Sequence, residues 1–244
     1  MKEIFKNIFA RIWALWGIIT FIITFIIIYI PSMLTYLIPG KKGQTIFIAI
    51  SRIWMNVWLT LIGCPVKVLG KENIQKGETY IFTCNHNTLL DVPLSSPFIP
   101  DANKTIAKMS FAKIPLFGWY YAKGSILVDR KSDASRRKGF ELMKRTLEEK
   151  IHVCIYPEGT RNRTGNPLKS FYDGAFKLSV DSSKAIIPSI IYNTKKAMPN
   201  DKTFYLLPCK LAIHFLPPIY PENLTTKALK EKVFNVMYEK VKQV

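Results

Sequence analysis

The chain has 244 residues, enough for one sizeable layered domain plus an appendage. Its 35 Lys and Arg against 17 Asp and Glu leave a formal charge of +18, which points to an anionic partner: nucleic acid, an anionic membrane face, or an acidic carrier or substrate. The 4 cysteines are widely spaced without a C-x-x-C pair and the 3 histidines lie apart from them, which argues against a disulfide frame and against a structural metal. Cys84 and Cys154 fall in apolar runs and read as small core residues of a reducing compartment; no cofactor is expected.

Residues 12–30 carry no charge and are long enough to cross a hydrocarbon core, which takes about 20 residues. Lys2, Lys6 and Arg11 resemble the basic front of a signal peptide, but the apolar run is too long and no small-x-small cleavage site follows. Pro31 is expected to interrupt the run. Basic residues flank it on both sides, with Lys41 and Lys42 beyond, so charge gives no orientation, and both a span and a dip into one leaflet remain open. Residues 44–62 place Phe47, Trp54 and Leu61 at helical spacing around Arg52 and Asn56, the pattern of an amphipathic interfacial helix. Trp13, Trp16, Trp54 and Trp58 suit the headgroup level. Residues 1–62 are therefore expected to be membrane-anchoring helices, and residues 63–244 a separate domain.

That domain reads as strands alternating with helices. Strands are expected over 66–69, 79–83, 104–108, 125–128, 151–156, 186–192 and 210–216. Between them, 111–121 is an apolar-aromatic helix or loop, Ser132 caps a helix reaching about Lys150, and a helix covers 172–182. A last amphipathic helix over 227–241 aligns Leu229, Val233, Val236, Met237 and Val241. The pattern predicts an α/β fold: a mixed, mostly parallel sheet flanked by helices, behind an N-terminal apolar helical segment for membrane attachment.

Three polar islands follow strand ends, where open α/β sheets place their ligands. The first contains Asn85-His86-Asn-Thr-Leu-Leu-Asp91. An imidazole with a carboxylate to fix its tautomer can act as a general base, provided the chain turns between them, because positions five apart do not share a helix face. The same residues also fit a capping box, Thr88-x-x-Asp91, although Pro93 would then lie in the second turn and crowd the Leu89 carbonyl. The second island ends in Asp129-Arg130. The third, Tyr156-Pro-Glu158-Gly159-Thr160-Arg161, combines a permissive glycine, a hydroxyl and a guanidinium fork suited to phosphate; Arg130 and Lys108 add charge beside it. His152 and His214 lie within apolar strands and read as structural.

These islands, with Ile187-Pro188-Ser189, stand in the order and approximate spacing of the four motif blocks of the glycerolipid acyltransferases, and the chain resembles most the bacterial enzymes acting on 1-acyl-glycerol 3-phosphate (lysophosphatidic acid). The likeness runs from about Gly63 to Tyr192 and includes Lys113-Ile-Pro-Leu-Phe-Gly118; Ile187 and Ile190 replace the usual smaller valines. It implies that His86, helped by Asp91, deprotonates the acceptor's hydroxyl, which attacks an acyl thioester directly. It also implies that Arg130, Glu158, Gly159, Thr160 and Arg161 hold the acceptor's phosphate and glycerol. The absence of a G-x-S-x-G elbow agrees with a mechanism lacking an acyl-enzyme. The implied partners are lysophosphatidic acid in the membrane and acyl-carrier protein or acyl-CoA as donor, with the domain on the cytoplasmic side of the inner membrane.

Two other readings compete. Within the same chemistry, the acceptor could be a lyso-aminolipid or another lysophospholipid. From a different class, the charge could mark a membrane-tethered nucleic-acid binder, but the aromatics concentrate in apolar runs instead of alternating with basic residues, so no nucleic acid is expected.

Overall fold

The computed structural model describes residues 2–243. Helix α1 (Lys2–Leu34) and helix α2 (Gly40–Leu61) lead the chain. Then come β1 (Val66–Leu69), β2 (Ile81–Cys84), the short helix α3 (Asp91–Ser95), β3 (Asn103–Lys108), α4 (Phe117–Lys123) and β4 (Ser125–Val128). Helix α5 (Asp133–Glu148), β5 (His152–Ile155), α6 (Gly174–Ser182), β6 (Ile186–Tyr192), α7 (Thr194–Ala197), β7 (Leu211–Phe215) and α8 (Thr226–Lys242) complete it. The strands form one sheet in the order β1-β7-β6-β2-β5-β3-β4, parallel at every pairing except β6 with β7. The expected mixed, mostly parallel α/β architecture is therefore the observed one.

Period-two alternation decides which helices cover which sheet face. Phe82 and Cys84 of β2 belong to the core beneath α1 and α2, together with Trp54, Trp58 and Leu59. Ile81 faces the other way, into the core made with α5, α6 and α8 around Met143, Phe176 and Val233. Both sheet faces are buried, which is why the central strands are continuous apolar runs and not alternating ones.

The N-terminal helices depart from expectation in two ways. Pro31 does not stop α1: it lies within the helix, in its last turn, where the bond it omits costs little further helix. Trp54 and Trp58 are only 3% and 7% exposed and do not face outward. Trp58 Nε1 donates to the Gly17 carbonyl at 3.0 Å and Trp54 Nε1 to Thr24 Oγ1 at 2.9 Å, so both tie α2 to an antiparallel α1. Trp13 and Trp16 likewise bond the Ile62 and Leu61 carbonyls. Small residues on the same face of α1 (Ala10, Ala14, Gly17) let the loop before β7 approach: Leu206 N–H bonds the Ala10 carbonyl at 3.1 Å, and a Cβ on Gly17 would stand 2.9 Å from Leu206 Cδ2. The 1–62 and 63–244 segments thus share a core. The opposite face of α1 remains bare, with Ile12, Ile19, Ile23, Ile26 and Ile30 all exposed.

Candidate active site

Five parallel strands present their C-terminal ends on one edge, and the placement of four sequence-predicted groups follows from their order. His86 leaves β2, the 158–161 turn leaves the adjacent β5, Lys108 ends β3 beyond it, and Arg130 follows the outermost β4. At roughly 4.8 Å per strand, Arg161's strand neighbours that of His86 while Arg130's is three places, or about 14 Å, away.

The turn between His86 and Asp91 brings the pair together. His86 Nδ1 lies 2.8 Å from Asp91 Oδ2, with the carboxylate fully buried and the imidazole 17% exposed. The same oxygen accepts from Thr88 N–H at 2.7 Å and from Asn87 N–H. This is the reach-back half of the capping box; Thr88 Oγ1 accepts instead from Leu90 N–H at 3.1 Å. Because α3 starts at Asp91 and not at Leu89, Pro93 falls in the first turn, where its missing N–H has no intrahelical partner to lose. The capping contacts and the His86–Asp91 contact are one arrangement. With Nδ1 committed to a carboxylate, Nε2 is the ring's proton acceptor. Asp91 Oδ1 is buried with no partner, so an imidazolium beside it compensates the charge directly.

Glu158, expected among the acceptor's ligands, is placed underneath His86. It is fully buried, and its oxygens accept from His86 N–H at 2.7 Å and Lys169 N–H at 2.9 Å. The register explains this: Thr83 pairs with Ile155, and continuing three residues sets His86 opposite Glu158. Burial raises the Glu158 carboxyl above its ordinary value, partly offset by these two N–H donors. The His86 carbonyl accepts from Asn162 N–H at 2.7 Å, so the loop bearing Arg161 is fastened to the histidine's own backbone. Gly159 has φ +69°, which strains any other residue, and a Cβ there would meet the Tyr172 ring at 2.7 Å and push it aside. Thr160 is exposed and accepts from Lys169 Nζ at 3.0 Å. Arg161 is half-buried, Arg130 and Lys108 are exposed, and none of the three forms an ion pair among the described residues.

Three supports escape sequence reasoning. Asn85 bonds both the N–H and the carbonyl of Ile191 with its side-chain amide, locking β2 to β6 where the ladder ends. Asn162 organises the following loop, its Oδ1 accepting from Thr164 N–H and Oγ1. Tyr156 packs its ring 4.4 Å from that of His86 and bonds Ser95 Oγ at 2.6 Å, tying the end of β5 to the helix that carries Asp91. A buried tyrosine beside a motif histidine looks like core in a sequence. The Cys84 thiol shares a hydrogen bond with Cys154 Sγ at 3.9 Å and is fully buried, which raises it well above the ordinary range and removes it as a nucleophile.

An imidazole backed by a buried carboxylate thus lies on the carboxyl edge of an α/β sheet, on the same edge as cations that form no ion pair among the described residues. The chain belongs to the acyltransferase family, whose model matches residues 65–192. It is 30% identical over 224 residues to 1-acyl-sn-glycerol-3-phosphate acyltransferase of Saccharomyces cerevisiae, covering 88% of this chain and 72% of that one. The protein of the same name from Borreliella burgdorferi is 31% identical over 149 residues, 59% of this chain and 57% of its own length, so against that relative the match spans less than two thirds. The crystal structure of the 1-acyl-sn-glycerophosphate (LPA) acyltransferase from Thermotoga maritima superposes with a TM-score of 0.80 at 22% identity, covering 100% of this chain and 97% of that one; it shares the fold.

Proposed function

We propose that the protein transfers a fatty acyl group from an acyl thioester to the 2-hydroxyl of 1-acyl-glycerol 3-phosphate, giving phosphatidic acid. The single observation that carries the mechanism is the His86 Nδ1–Asp91 Oδ2 contact at 2.8 Å, which leaves Nε2 to take a proton. Nε2 accepts the acceptor's hydroxyl proton as that oxygen bonds to the thioester carbonyl carbon; the C–S bond then breaks and the proton passes to the leaving thiolate. Asp91 holds the tautomer and balances the transient imidazolium. Glu158 and Tyr156 hold the imidazole in place. Arg161 is the principal phosphate ligand, one strand from the base, with Gly159 and Thr160 shaping the turn and Lys108 and Arg130 completing a cationic rim.

The acceptor is a membrane lipid, and the placement of α1 supports a chain that lies in one leaflet. Near its start, Lys202 Nζ bonds Asn7 Oδ1 at 3.2 Å; past its end, Tyr36 OH bonds the Trp119 carbonyl at 2.8 Å. These points are about 43 Å apart along a helix rising 1.5 Å per residue. A spanning helix would drag the domain through the hydrocarbon, whereas an in-plane one presents its bare isoleucine face to lipid and keeps the site beside the headgroups. The charge of +18 and the four unpaired cysteines support the cytoplasmic face, where the inner leaflet is anionic and thiols stay reduced. Acyl-carrier protein and acyl-CoA both fit a basic, thioester-accepting surface as donors.

The test supplies the purified full chain with labelled acyl-carrier protein or acyl-CoA and a panel of lysolipids. Preference for the phosphomonoester acceptor, lost in Arg161→Ala, is expected. Equal use of lysolipids without that phosphate, unaffected by Arg161→Ala, would refute it.

A further inference from the structure

We propose that the segment from Met109 to Trp119 is a second membrane-inserting element, seated in the same leaflet as α1, whose partner is the hydrocarbon and anionic headgroups of that leaflet. The inference rests on the in-plane reading of α1 and extends it to the edge of the active site.

The segment runs from the end of β3 into the first turn of α4 and exposes five large apolar side chains: Met109 39%, Phe111 37%, Ile114 45%, Leu116 53% and Trp119 66%. Scattered exposed apolar residues are ordinary, but a contiguous group on one loop marks a contact surface. The loop is also built to hold them outward. Gly118 sits so close to the backbone that a Cβ would meet the Ala112 carbonyl oxygen at 2.1 Å, and Gly118 N–H bonds the Ile114 carbonyl at 2.7 Å. Leu116 occupies φ +61°, a conformation that disfavours a branched apolar side chain, and its side chain is half exposed. In water such a residue would be both strained and unburied; insertion into lipid removes the second cost.

The occupant is specified by continuity and by charge. Phe117 packs on Phe21 and Phe25 of α1, with ring centroids at 6.3 and 5.7 Å. Trp119 lines an apolar cleft of ≈ 500 Å³ with Tyr29 and Met33 near the end of α1 and Tyr36 just past it. Phe117 thus anchors the loop to the inner face of α1, and the Trp119 cleft sets its exposed tip beside the exposed end of that helix, where Ile30, Leu34 and, just beyond, Tyr36 are bare. Between Asp101 and Asp129 the sequence contains no acidic residue, while Lys104, Lys108, Lys113 and Lys123 lie within it. Exposed apolar side chains set among lysines match an anionic leaflet. Since Lys108 directly precedes Met109, insertion brings the β3 end of the site to headgroup depth, where an acceptor's phosphate resides while its chain stays in the leaflet.

The test places a spin label at Leu116→Cys or, separately, at Ile22→Cys on the bare face of α1, each with Cys209→Ser because the other three thiols are buried. The full chain is bound to vesicles of phosphatidylglycerol and phosphatidylcholine, and label depth is read from collisions with oxygen against a water-soluble nickel chelate. Both labels in hydrocarbon is the expected result. A Leu116 label in water beside an immersed Ile22 label overturns this inference and leaves the α1 reading standing; both in water overturns the two together. A further variant, Leu116→Ser with Trp119→Ser, should bind the vesicles at least about tenfold more weakly with unchanged thermal unfolding in detergent. Unchanged vesicle binding also overturns the inference.

Discussion

The carboxyl edge of the sheet has two halves built on opposite principles. On the β2 side, the polar groups that place the imidazole are committed within the protein: His86 is held through its ring, its N–H and its carbonyl by Asp91, Glu158 and Asn162. On the β3–β4 side, Lys108 and Arg130 are exposed and, like Arg161 on β5, form no ion pair among the described residues. A group that must meet a reacting atom at one angle needs an over-determined position, whereas cations that gather a phosphate can wait for the ligand to order them. The contrast predicts that substitutions on the first side damage turnover and folding together, and those on the second damage acceptor affinity alone.

Asp91→Asn attacks the first half hardest. It replaces a carboxylate oxygen that accepts from the ring and from two backbone N–H groups. Turnover should fall by roughly 10²–10⁴, the contribution of a positioned general base, with a loss of stability of about 1–3 kcal/mol from a buried donor left unpaired. Steady-state rates and denaturant melts on the same preparation measure both.

Glu158→Gln breaks the support without touching the ring. An amide offers one acceptor where two N–H groups need one each, so about 1–3 kcal/mol of stability should go. The pH dependence gives a second readout. Burial raises the Glu158 carboxyl, so the folded state binds its proton more tightly than the unfolded state does. Its contribution to stability is full below the unfolded value and is lost as pH rises through the folded one. Melts of Glu158→Gln across that acidic range should lack this slope.

Arg161→Ala probes the other half. The KM for a phosphate-bearing acceptor should rise about tenfold or more, as expected for losing a charge-assisted bond worth about 1.5–3 kcal/mol, while the melting temperature stays put. Arg161→Lys should restore charge but not the fork, giving an intermediate KM. The smallest effect belongs to Tyr156→Phe, which keeps the ring against His86 and removes only the bond to Ser95. About 1 kcal/mol of stability is expected, with turnover falling less than for Asp91→Asn.

Much of this contrast was legible in the sequence, and the part that was not has identifiable causes. The strands over 66–69, 125–128 and 186–192 appear where their apolar runs lie, and Ser132 caps α5 as expected, its Oγ accepting from Ser135 N–H at 3.2 Å. Of the 111–121 segment, expected as a helix or loop, only 117–121 is α-helical, because Pro115 and the positive φ of Leu116 keep the chain out of an α-helix until Phe117. Trp54 and Trp58 looked interfacial since aromatic content does not reveal which face of α2 the α/β core covers. The burial of Glu158 was invisible for a related reason: it depends on β5 lying beside β2, a pairing of elements 72 residues apart in register (Ile155 with Thr83) that no local pattern encodes.

The central claim is that His86 is the base in a direct transfer. The most direct measurement mixes the purified full chain with labelled acyl thioester, with and without lysophosphatidic acid, and follows both product and protein-bound label in wild type and His86→Ala. The account predicts no label on the protein without acceptor, and product formation slowed by roughly 10²–10⁴ in a folded His86→Ala variant. Full activity of that variant, or a competent acyl-enzyme in the wild type, would contradict it.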